Sequence, residues 1–184
     1  MGRPSQREQR RAEILEAFRH ALADHGYAGA TVAVVAEHAN VAPGLLHHHF
    51  ESKREMLSAL LRAEISRFNT RVREYPESDD PLLAYVDAAL KLDSRADHVG
   101  ARCWVSMFAE TLREPALFRQ MRRFIDGQTA AIVDRGNGRL TDKEASAVLA
   151  YIVGSLVLGA FAPRRASGFS APGARRLVRS LLTP

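Results

Sequence analysis

Apolar residues return every three or four positions along most of this 184-residue chain, and no segment shows the strict alternation of a half-buried strand. The expected fold class is all-α. Ile14, Leu15, Phe18, Ala21 and Leu22 form a first stripe that stops at Gly26. Val32, Val35, Ala36 and Ala39 form a second, opened by Thr31, whose hydroxyl can cap free amides. Asn40, which tolerates left-handed backbone, interrupts it, and Pro43 carries the preset angle of a new helix start. In that third helix Leu46 and Phe50 share the inner face. Ser52 and Glu55 have the spacing of a capping box, from which a long helix runs through Met56, Leu57, Leu60, Leu61, Ile65 and Phe68 to Tyr75.

After a polar run at 77–80, Pro81 starts a helix with Leu82, Leu83, Val86, Ala89 and Leu90 on its apolar positions. A loop is expected over 93–100, then helices over 102–112 and 115–135, the second broken by Gly136, Asn137 and Gly138. Thr141 and Glu144 make another capping box ahead of the most apolar helix, which Pro163 closes. A last short helix is expected over 172–182. The pattern divides the chain into a helix-turn-helix unit of residues 1–52, with a basic N-terminal arm, and a helical unit of residues 53–184, the helix 53–75 linking the two.

Two short helices around a tight turn have the geometry of a DNA reader, and the outer side of the second holds Pro43, Gly44, Leu45, His47 and His48. Here the chain resembles the TetR family of bacterial transcriptional regulators. Ala39, Val41, Gly44, Leu46, His48, His49, Phe50 and Lys53 match that family's segment, while Ala42 and His47 stand where it has Ser and Tyr. Ala42 removes a helix cap worth about 1 kcal/mol. The resemblance is close over residues 10–60.

It implies a three-helix DNA-binding domain followed by a helical effector and dimerisation bundle. The function implied is a repressor that binds a pseudo-palindromic duplex operator as a homodimer and is released by a small-molecule effector. Carried over by position, Thr31, His47, His48 and Lys53 would hold phosphates, and Pro43, Gly44 and Leu45 would approach base edges. Arg3 and Arg7 would enter the minor groove; a solubilising tail is the other reading of that arm. The family's pairing of its last two long helices points to Ile152, Ser155, Leu156, Gly159, Leu177 and Leu181 as a dimer interface, against burial in a monomeric core. Its effector pocket points to Trp104, Met107, Phe108, Glu110, Phe124 and Tyr151, against ordinary packing. Residues 104–115 also look like the BetI-type branch, which answers choline. Aromatic rings with Glu110 would suit a quaternary ammonium, although Glu110 is equally placed to pair on the surface.

Composition fits this picture. The net charge of +5 favours a polyanion partner, but it is concentrated in Arg3, Arg7, Arg10 and Arg11 and in Arg164, Arg165, Arg175, Arg176 and Arg179. With 46% apolar residues, no uninterrupted run of about 18 that would span a membrane, no apolar leader, and a lone Cys103, the expectation is a cytoplasmic protein with no membrane partner. His47, His48 and His49 are adjacent on a helix and cannot converge on one ion, so no metal and no cofactor are expected. No nucleophile motif or phosphate loop suggests an enzyme. The remaining alternative is a helical adaptor that binds proteins through its apolar final helices.

Overall fold

The computed structural model describes residues 5–76, 79–90, 98–166 and 170–182; Arg3 and most of the loop expected over 93–100 lie outside them. The described residues are helical, with no strand. Helix α1 (Gln6–Gly29) is opened by a full capping box between Ser5 and Glu8. It breaks at Gly26, whose φ of 65° only glycine takes cheaply, and resumes for one more turn. Arg7 is therefore helical rather than part of an extended arm. Helices α2 (Val32–His38), α3 (Pro43–His49) and α4 (Lys53–Arg73) follow as expected.

The box at Ser52 is only half formed. Ser52 Oγ accepts from Glu55 N at 3.1 Å, but the Glu55 carboxylate turns to Glu51 N at 2.7 Å and to Arg11 at 2.6 Å. Arg11 also donates to the Glu55 neighbour in space, the carbonyl of His49, and its guanidinium lies 3.9 Å from the centre of the Phe50 ring. One side chain of α1 thus fixes the end of α3 and the start of α4.

Helices α5 (Pro81–Ala89), α6 (His98–Thr111), α7 (Pro115–Gly136), α8 (Asp142–Phe161), α9 (Pro163–Ala166) and α10 (Ser170–Leu182) complete the chain. Helix α6 opens a turn earlier than the sequence suggests, where Val99 packs on the core. Pro163 does not end helical structure; as a first-turn residue it starts α9. Ala166 of that turn would lie 3.8 Å from a Cβ added to Gly159, so the chain itself partly covers the strip expected to receive another helix. Helix α8 is also long and apolar enough, by length and composition, to cross a membrane, although it holds no uninterrupted apolar run of that length.

Two apolar cores result. The first joins Ile14, Phe18 and Leu22 of α1, Val35 of α2, Leu46 of α3 and Met56, Leu57, Leu60 and Leu61 of α4 to Cys103, Trp104 and Met107 of α6. The second joins Phe68 of α4 to Leu82, Tyr85 and Val86 of α5, Ile132 of α7, Val148 and Ile152 of α8 and Val178 of α10. Packing therefore does not divide at residue 52: α4 contributes to both cores, and α6 closes the first.

Hydrogen bonds from Arg11 and then from Glu51 N hold the Glu55 carboxyl below its ordinary value of 4.5. A depressed carboxyl contributes stability that is complete above that value and is lost as pH falls below it. The urea midpoint should stay level above about pH 5 and drop below it, and Glu55→Gln should lower the neutral plateau and flatten the drop; an unchanged profile would contradict the Arg11 clamp. At α3, Ala42 sits in the cap position with no side-chain bond. Ala42→Ser should raise stability by about 0.5–1 kcal/mol in the same measurement.

Candidate nucleic-acid interface and effector cavity

The reader is built from its turn outward. Thr31 Oγ1 accepts from Val34 N at 3.3 Å, which starts α2 and leaves the hydroxyl proton available to another acceptor. Asn40 takes φ 51°, and Val41 N donates back to Ala36 O at 3.0 Å. This reversal aims α3 across α2. Leu46 and Phe50 face inward and are buried, whereas Pro43, Gly44, His47 and His48 are exposed and Leu45 is half-buried. A Cβ added to Gly44 would meet nothing within 4 Å, so no packing inside the protein requires glycine there.

The basic side chains around this helix stand in different states. Lys53 donates to the carbonyls of Tyr27 and Ala28, at 3.4 Å for the second, and lies 4.3 Å from the centre of the Tyr27 ring. The ammonium expected on a phosphate is engaged here at the end of α1, and burial lowers its pKa. Arg7 is exposed in the first turn of α1. His49 turns inward; desolvation first, then the charges of Arg7 and Arg11, lower its pKa. Its neighbours His47 and His48 point to solvent. Among the described residues no group of His, Cys, Asp or Glu could hold a metal.

Behind the reader, α4, α5, α6, α7 and α8 line a partly open cavity of about 110 Å³. Trp104, Phe108 and Phe124 line it, as the sequence suggested. The other expected pocket residues do not. Met107 is fully buried in the first core, and Tyr151 packs against the second. Glu110 lies 3.8 Å from Arg113, its charge bears on Tyr27 and Lys53, and it does not line the cavity beside the aromatic rings. The residues that reading missed are Glu64, Arg67, Phe68 and Arg71 of α4, Ala89 of α5, Gln128 of α7 and Leu149, Ile152, Val153 and Leu156 of α8. Positions 64, 67, 68 and 71 share a helix face. That charged residues occupy an inward face was the one available signal.

These α4 residues also hold α1. Arg67 donates to Glu64 Oε1 at 2.8 Å and to Glu16 of α1, while Arg19 of α1 lies 3.1 Å from Glu64 and 3.3 Å from Glu16. Glu64 and Arg19 are buried, at 4% and 8% exposure, so their charges depend on this pairing. Gln128 accepts from Tyr85 Oη at 3.0 Å and donates to Asn69 at 3.3 Å, tying α7 to α5 and α4.

The residues expected at a dimer interface are mixed in placement. Ser155, Leu156, Gly159, Leu177 and Leu181 are half-buried, but Ile152 is 6% exposed and belongs to the protein's own second core. Val157, Leu158 and Phe161 of α8, at 37%, 37% and 79% exposure, are large apolar residues left open beside them.

The family model for "Bacterial regulatory proteins, tetR family" matches residues 14–60, the span of the reader. The HTH-type transcriptional regulator BetI of Burkholderia mallei is 30% identical over 160 residues, covering 83% of this chain and 82% of its own. Among solved structures, a transcriptional regulator from Rhodococcus sp. superposes with a TM-score of 0.84 at 22% identity, covering 94% of this chain and 95% of that one. A transcriptional regulator from Saccharomonospora viridis, solved in complex with choline, superposes at 0.75 with 18% identity, covering 94% and 96%. With the helix-turn-helix at its N-terminus and a helical bundle behind it, this chain belongs to the TetR family of DNA-binding transcriptional regulators, on the BetI-like side of that family.

Proposed function

We propose that the protein is a cytoplasmic repressor, not an enzyme, that binds a pseudo-palindromic operator as a homodimer and leaves it when a small molecule fills the cavity. The outward face of α3 carries this reading: Pro43, Gly44, Leu45, His47 and His48 stand at its surface while Leu46 and Phe50 anchor it. Pro43, Gly44 and Leu45 meet base edges, and His47, His48 and the Thr31 hydroxyl meet phosphates. Arg7 adds charge from α1. Lys53 serves instead as a brace between α4 and the end of α1.

The exposed side of α8, with Leu158 and Phe161, and the half-buried Leu177 and Leu181 of α10 support pairing with a second copy. This is the use proposed for the apolar length of α8. A twofold dimer sets its recognition helices about 34 Å apart, one turn of duplex. The functional boundary proposed falls after residue 52, with 53–75 as the lever. Arg67 and Glu64 line the cavity and grip α1, so a ligand there has a direct route to the reader.

Gly44 separates a functional from a structural role. Gly44→Ala should stabilise the fold by about 0.5–1 kcal/mol, since it removes a helical glycine with space around it. The same change should weaken specific duplex binding by tenfold or more, because a methyl then stands between α3 and the groove floor. Fluorescence anisotropy with a selected duplex, beside urea denaturation, reads both. Unchanged affinity in the stabilised variant would remove α3 from the interface.

A further inference from the structure

The ionic wall of the cavity is closed on itself. Glu64 lies 2.8 Å from Arg67 and 3.1 Å from Arg19, and Glu16 pairs with the same guanidiniums, at 3.3 Å from Arg19. Carboxylates and arginines are matched one for one. Arg71, the remaining ionisable residue of the wall, donates from Nε to Ala88 O at 2.9 Å, at the carbonyl end of α5, where a helix carries partial negative charge. Neither a cation nor an anion finds a spare counter-charge here, since each would shed its water and regain a partner only by breaking one of these contacts. An uncharged ligand leaves the network whole.

The rest of the wall selects shape. Trp104 and Phe124 stack with centroids 5.6 Å apart and planes 20° apart, and Phe68 meets Phe124 edge-on at 5.4 Å. Flat faces and edges of this kind favour a planar ring. At about 110 Å³ the cavity is smaller than the ~300–1,000 Å³ of drug-sized sites and holds a ring and little more.

Phe108 carries this apolar surface outward. Its ring centre lies 5.7 Å from that of Trp104, and it also lines a second, outward-facing hollow of about 230 Å³ between α6 and α7, with Leu112, Phe118, Met121 and Ile125. Leu112, Phe118 and Ile125 are 73%, 43% and 40% exposed, so the protein's own packing leaves this cluster open. A chain that leaves the cavity past Phe108 covers it. Cavity and hollow together reach the lower end of the drug-sized range of about 300 Å³ and upward.

We propose that the effector is an uncharged molecule with an aromatic head and an apolar tail, the head against Trp104 and Phe124 and the tail over Phe108 onto Phe118 and Ile125. This rests on the ligand-responsive reading above and departs from the cation found in the choline-bound neighbour.

Trp104 is the sole tryptophan of the chain and reports occupancy directly. The full-length protein is titrated, following tryptophan emission, with 3-phenylpropan-1-ol, the matched anion 3-phenylpropionate and the matched cation 3-phenylpropyltrimethylammonium, then with 2-phenylethanol and 5-phenylpentan-1-ol. The alcohol should bind about tenfold more tightly than either ion. Affinity should rise about two- to fourfold for each methylene added to the alcohol, the upper figure marking full burial. Phe118→Ser, at an exposed position, should cost the longest alcohol about fivefold more affinity than the shortest. An ion that binds as tightly as the alcohol, no gain with tail length, an equal loss for long and short alcohols, or no binding of any probe would overturn the proposal. So would a Phe118→Ser variant that turns monomeric in sedimentation while keeping its full preference for the longest alcohol, since the hollow would then belong to a second copy. Ile125→Ser repeats the comparison if Phe118→Ser fails to fold. Duplex binding measured on the same samples without probe separates the two readings: if it persists while the alcohols fail, only the ligand class falls, and if it is absent the regulator itself does.

Discussion

Helix α4 cannot move without disturbing two cores. Its first half buries Met56, Leu57, Leu60 and Leu61 beneath the reader, and its second half places Phe68 in the core shared by α5, α7, α8 and α10. Between these halves Glu64 and Arg67 reach α1 through Arg19 and Glu16. Removing one partner of a buried ion pair costs about 3–5 kcal/mol, because the other charge is left without compensation. The network therefore works less as glue than as a condition: the buried charges of α1 and α4 are tolerated only while they face each other. Since those charges also border the cavity, the reader and the pocket share side chains rather than communicating through distance.

A second fixed point lies at the other end of α1. Arg11 holds the His49 carbonyl and the Glu55 carboxylate, so α3 is suspended between the Arg11 contact, the Leu46 and Phe50 anchors, and the Asn40 turn. Tilting α1 carries α3 with it. A twofold dimer turns a small tilt into a change of spacing between recognition helices, and a ligand needs only a few kcal/mol of differential affinity to shift that equilibrium.

The reader was largely legible in the sequence because its signals are local. A hydroxyl at Thr31, a left-handed Asn40, Pro43 at a helix start and the apolar step from Leu46 to Phe50 each constrain the backbone within a few residues. The Thr141 capping box was legible for the same reason. The Ser52 box was misread because a distant residue, Arg11, draws the Glu55 side chain aside. The cavity was legible only in its aromatic half. Trp104, Phe108 and Phe124 advertise a pocket by size, whereas Glu64 and Arg67 look like ordinary surface charges until α1 and α7 are folded against them. Glu110 misled in the opposite sense, since neighbouring the aromatic residues in sequence does not place it among them in space. Ile152 was claimed by the protein's own core, a long-range fact that periodicity on α8 cannot reveal.

Selection of bound duplexes from a random pool tests the central claim most directly. The account predicts recovered sequences with two inverted half-sites whose centres lie about 34 Å apart, each complex holding two copies of the chain. Recovery of no shared sequence, or of a single half-site occupied by one copy, would contradict it.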